Sequence, residues 1–117
     1  MKPTAILIHV NNISEGLLWY KTAFPEAKEL YIKESDFTAL SINGFLIEVV
    51  KADAKVPSGK SGTVLYWEVE NLPKALAFLE GIGATLYRGP MKIEHELAMC
   101  QVEDPFGNLI GLRGPLY

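Results

Sequence analysis

Two stretches of the chain pass from a strand-like pattern of apolar residues to a helical one. The runs 4–10 and 63–69 are rich in β-branched and aromatic residues, as strands are. Behind each run, apolar positions recur every three or four residues, which is typical of one face of an amphipathic helix. Pro25 ends the first predicted helix, and Gly81 with Gly83 ends the second. We therefore predict a strand followed by a helix at both places.

The junctions between these strands and helices carry an internal repeat. Residues 10–17 read VNNISEGL and residues 69–76 read VENLPKAL, so both fit Val-x-Asn-[Ile/Leu]-x-x-[small]-Leu. The offset, 69 − 10 = 59 residues, is about half of the 117-residue chain. Asn12 or Ser14, and Asn71, are expected to cap the helices, because their side-chain oxygens accept orphan amide protons at a helix start. The two halves are therefore expected to fold alike.

After each predicted helix the pattern returns to strands, three in each half: 27–33, 36–42, 45–51, 84–88, 94–102 and 108–113. The Asn43-Gly44 pair indicates a tight hairpin, because both residues tolerate positive φ. A longer turn is predicted over 104–108, which reads DPFGN. The order is β-α-β-β-β twice, which makes an α+β chain. Its modules cover about 3–51 and 62–113, and Pro57 with the neighbouring glycines marks a linker over 52–61.

Composition and charge narrow the class of protein. With 49% apolar and 21% charged residues, the chain is an ordinary globular one, and its length suits a single domain over 1–117. Cys100 is the one cysteine, so no intrachain disulfide is available and a cytoplasmic location is expected. The apolar run at the N-terminus is too short for a signal peptide or a membrane span. A net charge of −3 without a basic cluster argues against nucleic acid as a partner.

The tandem βαβββ pattern, its Val-x-Asn junctions and the terminal DPFGNLI at 104–110 resemble the vicinal oxygen chelate superfamily. That superfamily includes glyoxalase I, extradiol dioxygenases, and bleomycin and fosfomycin resistance proteins. The resemblance covers almost the whole chain. It implies a half-open barrel of mixed β-sheet with helices outside, a concave face that holds a ligand, and assembly as a homodimer.

The resemblance also implies four positions for metal ligands, on the first and last strand of each module. In this sequence they are Ala5, Glu48, Val64 and Gly111, and only the glutamate can donate to an ion. We therefore predict no cofactor and a metal-free protein that binds a small molecule, similar to the bleomycin-resistance members. The alternative is a glyoxalase-like lyase or isomerase, or an extradiol-type dioxygenase, that holds a divalent metal with unusual ligands. An acid–base enzyme without metal, and a pure interaction protein without a cavity, stay open as well.

Strand alternation from these positions predicts which side chains face the cavity, expected to lie between the two halves. The predicted lining includes Leu7, His9, Glu48, Tyr66, Glu68 and Arg113. Three of these residues have a second interpretation. His9 is then a rim histidine bonded to a neighbour, Tyr66 a core residue and Arg113 part of a plain ion pair. His95 is interpreted as a solvated hairpin residue or a pocket residue, and Cys100 as core instead of a nucleophile.

Overall fold

The computed structural model describes residues 1–116 of the chain. It divides into two compact units, with the boundary between Ser58 and Gly59. This boundary falls inside the predicted linker. No helix within residues 1–116 is long and apolar enough to cross a membrane.

The first unit is a four-stranded mixed sheet with one α-helix and a short 3₁₀ helix, Lys33–Ser35. The strands lie in the order β1-β4-β3-β2, with β1 and β4 parallel and the other pairs antiparallel. Its elements are β1 (Ala5–Val10), α1 (Ile13–Ala23), β2 (Lys28–Ile32), β3 (Phe37–Ile42) and β4 (Phe45–Lys51).

The second unit repeats this connectivity. The strands lie in the order β5-β8-β7-β6, again with one parallel pair, between β5 and β8. Its elements are β5 (Tyr66–Glu68), α2 (Leu72–Gly81), β6 (Thr85–Lys92), β7 (Ala98–Glu103) and β8 (Leu109–Gly114). The predicted α+β class with tandem βαβββ modules is thus confirmed, and neither sheet is closed.

The repeated asparagine caps both helices. Asn12 Oδ1 accepts a hydrogen bond from the Glu15 amide at 3.0 Å, and Asn71 Oδ1 accepts one from the Lys74 amide at 2.9 Å. Each bond satisfies one amide that has no partner inside the helix. Asparagine therefore occurs at the same position in both copies of the repeat because it caps the helix. In the first helix the cap is Asn12 and not Ser14.

Each helix covers one face of its own sheet. In the first unit Val10, Ile47 and Val49 are buried on the face that α1 covers. Gly16 lies at the closest approach, where an added Cβ would lie 2.8 Å from Val49 Cγ1. The small residue in the repeat thus lets the helix lie close to the sheet.

Three strands of the second unit differ from the prediction. The predicted strand 63–69 shortens to β5, whose three residues pair with the stretch of β8 from Gly111 to Arg113. β6 continues to Lys92 through Pro90, which an edge strand tolerates. The predicted strand 94–102 begins only at Ala98, because the two residues at 95 and 96 have positive φ and interrupt the extended backbone.

The predicted turn at 104–108 is confirmed, and its buried carboxylate explains it. Asp104 Oδ1 accepts hydrogen bonds from the Phe106 amide at 2.8 Å and from the Asn108 amide at 2.9 Å. Gly107 supplies the left-handed position, with φ of 93°. This turn fixes where β8 starts and therefore which β8 residues face each side of the sheet.

Candidate functional site

The face of the second sheet opposite α2 carries a row of side chains that lie side by side. Tyr66 on β5 is the register partner of Gly111 on β8, which in turn pairs with Gln101 on β7. The Gln101 side-chain amide donates a hydrogen bond to the Tyr66 hydroxyl at 2.8 Å. The tyrosine ring therefore lies flat across the glycine, held at its far end by the glutamine.

The next row on the same face carries opposite charges. Glu68 on β5 and Arg113 on β8 are register partners, and both side chains are exposed. The guanidinium carbon lies 5.0 Å from the centre of the Tyr66 ring, which is a cation–π contact. Among residues 59–116 no carboxylate forms an ion pair with Arg113. The plain ion pair that the sequence left open as an alternative is thus not formed within this unit.

A cleft of about 740 Å³ lies beside these two rows. Known small-molecule pockets span about 300–1,000 Å³, so the volume suits an organic ligand. It is lined by apolar surface next to three charged side chains, from Tyr66, Trp67, Glu68, Val69, Glu70, Leu97, Arg113, Gly114 and Pro115.

Backbone contacts fix the wall of this cleft where β5 ends. The Val69 amide donates to the Arg113 carbonyl at 2.9 Å, and the Leu72 amide donates to the Pro115 carbonyl at 2.8 Å. An added Cβ on Gly114 would lie only 2.2 Å from the Val69 carbonyl oxygen, so only glycine allows this approach. The segment that carries Glu68 and Glu70 is therefore tied to the end of β8.

The predicted residues of the first unit lie on the corresponding face of its own sheet. Leu7 is the register partner of Glu48, and His9 is the register partner of Val50. Leu7 is half exposed, while His9 and Glu48 are half buried. None of these three lines the cleft of the second unit.

The register also shows which positions of the two units correspond. Leu7 beside Glu48 in the first unit matches Tyr66 beside Gly111 in the second, and His9 matches Glu68. The predicted ligand positions on the last strands are thus equivalent in the structure.

The metal-ligand positions do not form a metal site. Ala5 and Val64 have no donor atoms, and the position of Gly111 has no room for one. An added Cβ there would lie 2.6 Å from Tyr66 Cγ and 2.7 Å from each Cδ, so the ring fills the space of a ligand side chain. Among residues 1–116, no group of three His, Cys, Asp or Glu side chains has a geometry that could hold an ion. The residues present therefore do not fit the divalent metal that the resemblance implies.

The two remaining candidates lie outside the cleft. His95 is exposed in the turn between β6 and β7, with φ of 59°, and does not line the cleft. Cys100 is fully buried on the α2 face of β7, and burial, followed by the negative charge of Glu80, raises the pKa of its thiol. A buried thiol with a raised pKa is a weak nucleophile, which agrees with its prediction as a core residue.

Gln101, Glu70 and Leu97 belong to the site and were not predicted. Gln101 is the register partner of Gly111, and combining that register with the predicted turn at 104–108 could have identified it. Leu97 falls inside the predicted strand 94–102, whereas in the structure it lies in the turn before β7. The Ile93 amide donates a hydrogen bond to the Leu97 carbonyl at 2.9 Å and closes this turn. The run of alternating residues at Tyr66 and Glu68 could have signalled Glu70, two positions further along.

Comparison with known proteins gives structural matches only. No known family profile matches the sequence, and neither does any curated protein. A glyoxalase/bleomycin resistance protein/dioxygenase family enzyme from Burkholderia phytofirmans PsJN is 18% identical, with a TM-score of 0.76 over 95% of this chain and 96% of that one. The genomically encoded fosfomycin resistance protein of Listeria monocytogenes is 14% identical, with a TM-score of 0.77 over 97% of this chain and 93% of that one.

A glyoxalase-related enzyme from Fulvimarina pelagi is also similar, at 15% identity and a TM-score of 0.75, over 97% of this chain and 88% of that one. The chain therefore has the fold of the glyoxalase, bleomycin resistance and dioxygenase proteins. The predicted resemblance to the vicinal oxygen chelate superfamily is confirmed at the level of the fold.

Proposed function

We propose that the chain binds a small organic molecule in the cleft beside Tyr66 and Arg113, without a bound metal ion. The observation that carries this proposal is the Tyr66 ring packed over Gly111, because it fills the space that a metal-ligating side chain would need. In a metal-dependent relative, ligand oxygens would bind the ion. Here the Tyr66 ring occupies that place, and the Arg113 guanidinium carbon lies 5.0 Å from the centre of the ring.

The chemistry of the cleft supports the binding of a small molecule. Burial of apolar ligand surface contributes roughly 25 cal/mol per Å², and Val69, Leu97 and Pro115 offer such surface. Arg113 adds a charged group that donates hydrogen bonds in a planar fork. Sequestration needs only shape, apolar area and a few placed charges.

The structural neighbours support the same proposal by class. Their descriptions name a glyoxalase/bleomycin resistance protein/dioxygenase family enzyme and a fosfomycin resistance protein, which agrees with a small molecule as the ligand. At these identities the neighbours do not identify a ligand. As the resemblance implies, we also propose that the protein is a homodimer, which sedimentation equilibrium measures directly.

A fragment screen by ligand-observed NMR tests the proposal on protein dialysed against a chelator. We expect hits whose binding shifts the backbone amides of Tyr66, Glu68 and Arg113 in ¹⁵N-labelled protein. Arg113→Gln is expected to weaken hits that carry an anionic group. Arg88→Gln is the matched control, because Arg88 is an exposed arginine on the same sheet that does not line the cleft. The proposal fails if no fragment binds the chelated protein, or if all hits map away from the cleft.

A further inference from the structure

The cleft keeps charges of opposite sign apart although the sheet brings their strands together. Glu68 and Arg113 are register partners on neighbouring strands, which lie about 4.8 Å apart. The guanidinium nevertheless makes a cation–π contact with Tyr66, and among residues 59–116 no cation forms an ion pair with Glu68 or Glu70. All three charged side chains are exposed and line the same cleft. Separate cationic and anionic groups are therefore available to a ligand.

Tyr66 also holds the guanidinium group at the cleft, with the guanidinium carbon 5.0 Å from the centre of the ring. Among residues 59–116 no carboxylate forms an ion pair with this group, so its N–H donors are available to a ligand. A guanidinium group can donate two parallel hydrogen bonds to a carboxylate or a related anion. The tyrosine is itself held by Gln101, so the orientation of the ring does not depend on the ligand.

Building on the proposed function, we propose that the ligand is a zwitterion of the amino-acid or short-peptide type. Its anionic group pairs with Arg113, its cationic group pairs with Glu68 and Glu70, and its apolar body lies against Val69, Leu97 and Pro115. A purely anionic ligand would meet two carboxylates, and a purely cationic ligand would meet the guanidinium. Only a molecule with both charges pairs favourably with each of them.

Four forms of one dipeptide test this proposal with the apolar body held constant. They are glycyl-phenylalanine, its C-terminal amide, its N-acetyl form and the form with both ends blocked. Each is titrated into ¹⁵N-labelled, chelated protein, and Kd is read from the amide shifts of the cleft residues. We expect the zwitterion to bind most tightly, with a loss of roughly two- to fivefold for each blocked end, the range of an exposed ion pair.

Variants assign each end of the dipeptide to its group. In Arg113→Gln the difference between the free and amidated forms is expected to vanish, while the difference between the free and acetylated forms remains. In Glu68→Gln the acetylation penalty is expected to shrink, while the amidation penalty remains. Arg88→Gln and Glu94→Gln are matched controls, since both residues are exposed and neither lines the cleft.

The outcomes separate this inference from the proposed function. The zwitterion proposal is overturned if the four forms bind alike, if the doubly blocked form binds best, or if only unrelated fragments bind in the cleft. In each of those cases small-molecule binding itself stands. If neither dipeptides nor fragments bind the cleft, the proposed function fails as well.

Discussion

The packing of Tyr66 over Gly111 can be tested by a double-mutant cycle, and the structure sets the size of the effect. In Gly111→Ala the new Cβ would lie 2.6 Å from Tyr66 Cγ, whereas ordinary contact begins at 3.4 Å. The ring must move, and overpacking of this kind costs about 1–3 kcal/mol. Gly111 does not have a positive φ, so the cost arises from this contact and not from the backbone.

Removal of the ring reverses the sign of the same substitution. In a Tyr66→Ala background the space above Gly111 is empty. Gly111→Ala is then expected to stabilise the folded protein by about 0.4–1 kcal/mol, because alanine lowers the conformational entropy of the unfolded chain. Tyr66→Ala alone is expected to cost less than the roughly 3–5 kcal/mol of a fully buried aromatic residue, because the ring is only half buried. The two substitutions should therefore be strongly coupled.

Urea unfolding of the four proteins, followed by circular dichroism, measures this coupling. We expect the free energy change of Gly111→Ala to differ by about 1.5–4 kcal/mol between the two backgrounds. Gly81→Ala is the control, because a Cβ there meets nothing within 4 Å and alanine favours the helix. If the two substitutions add to within about 0.5 kcal/mol, the ring does not fill the position and the reasoning is refuted.

Three further predictions follow from other residues. Asp104→Ala should destabilise by about 1–3 kcal/mol, because it takes the acceptor from two half-buried amide donors of the turn. Asp104→Asn should cost less, and equal urea midpoints for the two variants would contradict this. The Cys100 thiol, with its pKa raised by burial and by Glu80, should not react with a disulfide reagent at pH 8 until urea unfolds the protein, and rapid reaction of the native protein would contradict its burial. The hydrogen bond to Asp36, and to a lesser degree burial, raises the pKa of Tyr31 above 10.0. The folded state therefore favours the neutral phenol, and this contribution is present below pH 10 and lost as the pH rises through the folded pKa. A difference titration of phenol absorbance between the wild type and Tyr31→Phe should show this raised pKa, and Asp36→Asn should lower it; no change in Asp36→Asn would contradict the assigned cause.

The repeat made most of the fold predictable, because local chemistry determines it. Asn12 and Asn71 mark the helix starts by the hydrogen bonds that they accept, and the Asn43-Gly44 turn has positive φ at both residues. These features need only a few neighbouring residues, so a single sequence contains them. The start of β7 is different, because it depends on the backbone conformation at His95 and Glu96, two residue types that do not require positive φ.

The site was less predictable because it depends on register across strands. Alternation within β5 and β8 gave Tyr66, Glu68 and Arg113, which line one cleft. The sequence did not predict that the tyrosine ring lies over Gly111 and accepts a hydrogen bond from Gln101 on a third strand, since both contacts depend on the register between strands. A missing ligand side chain is visible in the sequence, whereas the side chain that fills its space is visible only in the structure.

The most direct test of the central claim is one binding curve measured under two conditions. The tightest fragment of the NMR screen is titrated into the protein in a chelator, and again after addition of excess Zn²⁺. A metal-free site predicts the same Kd in both titrations, with shifts at Tyr66 and Arg113 each time. A Kd that is clearly lower with the ion than in the chelator would contradict the account.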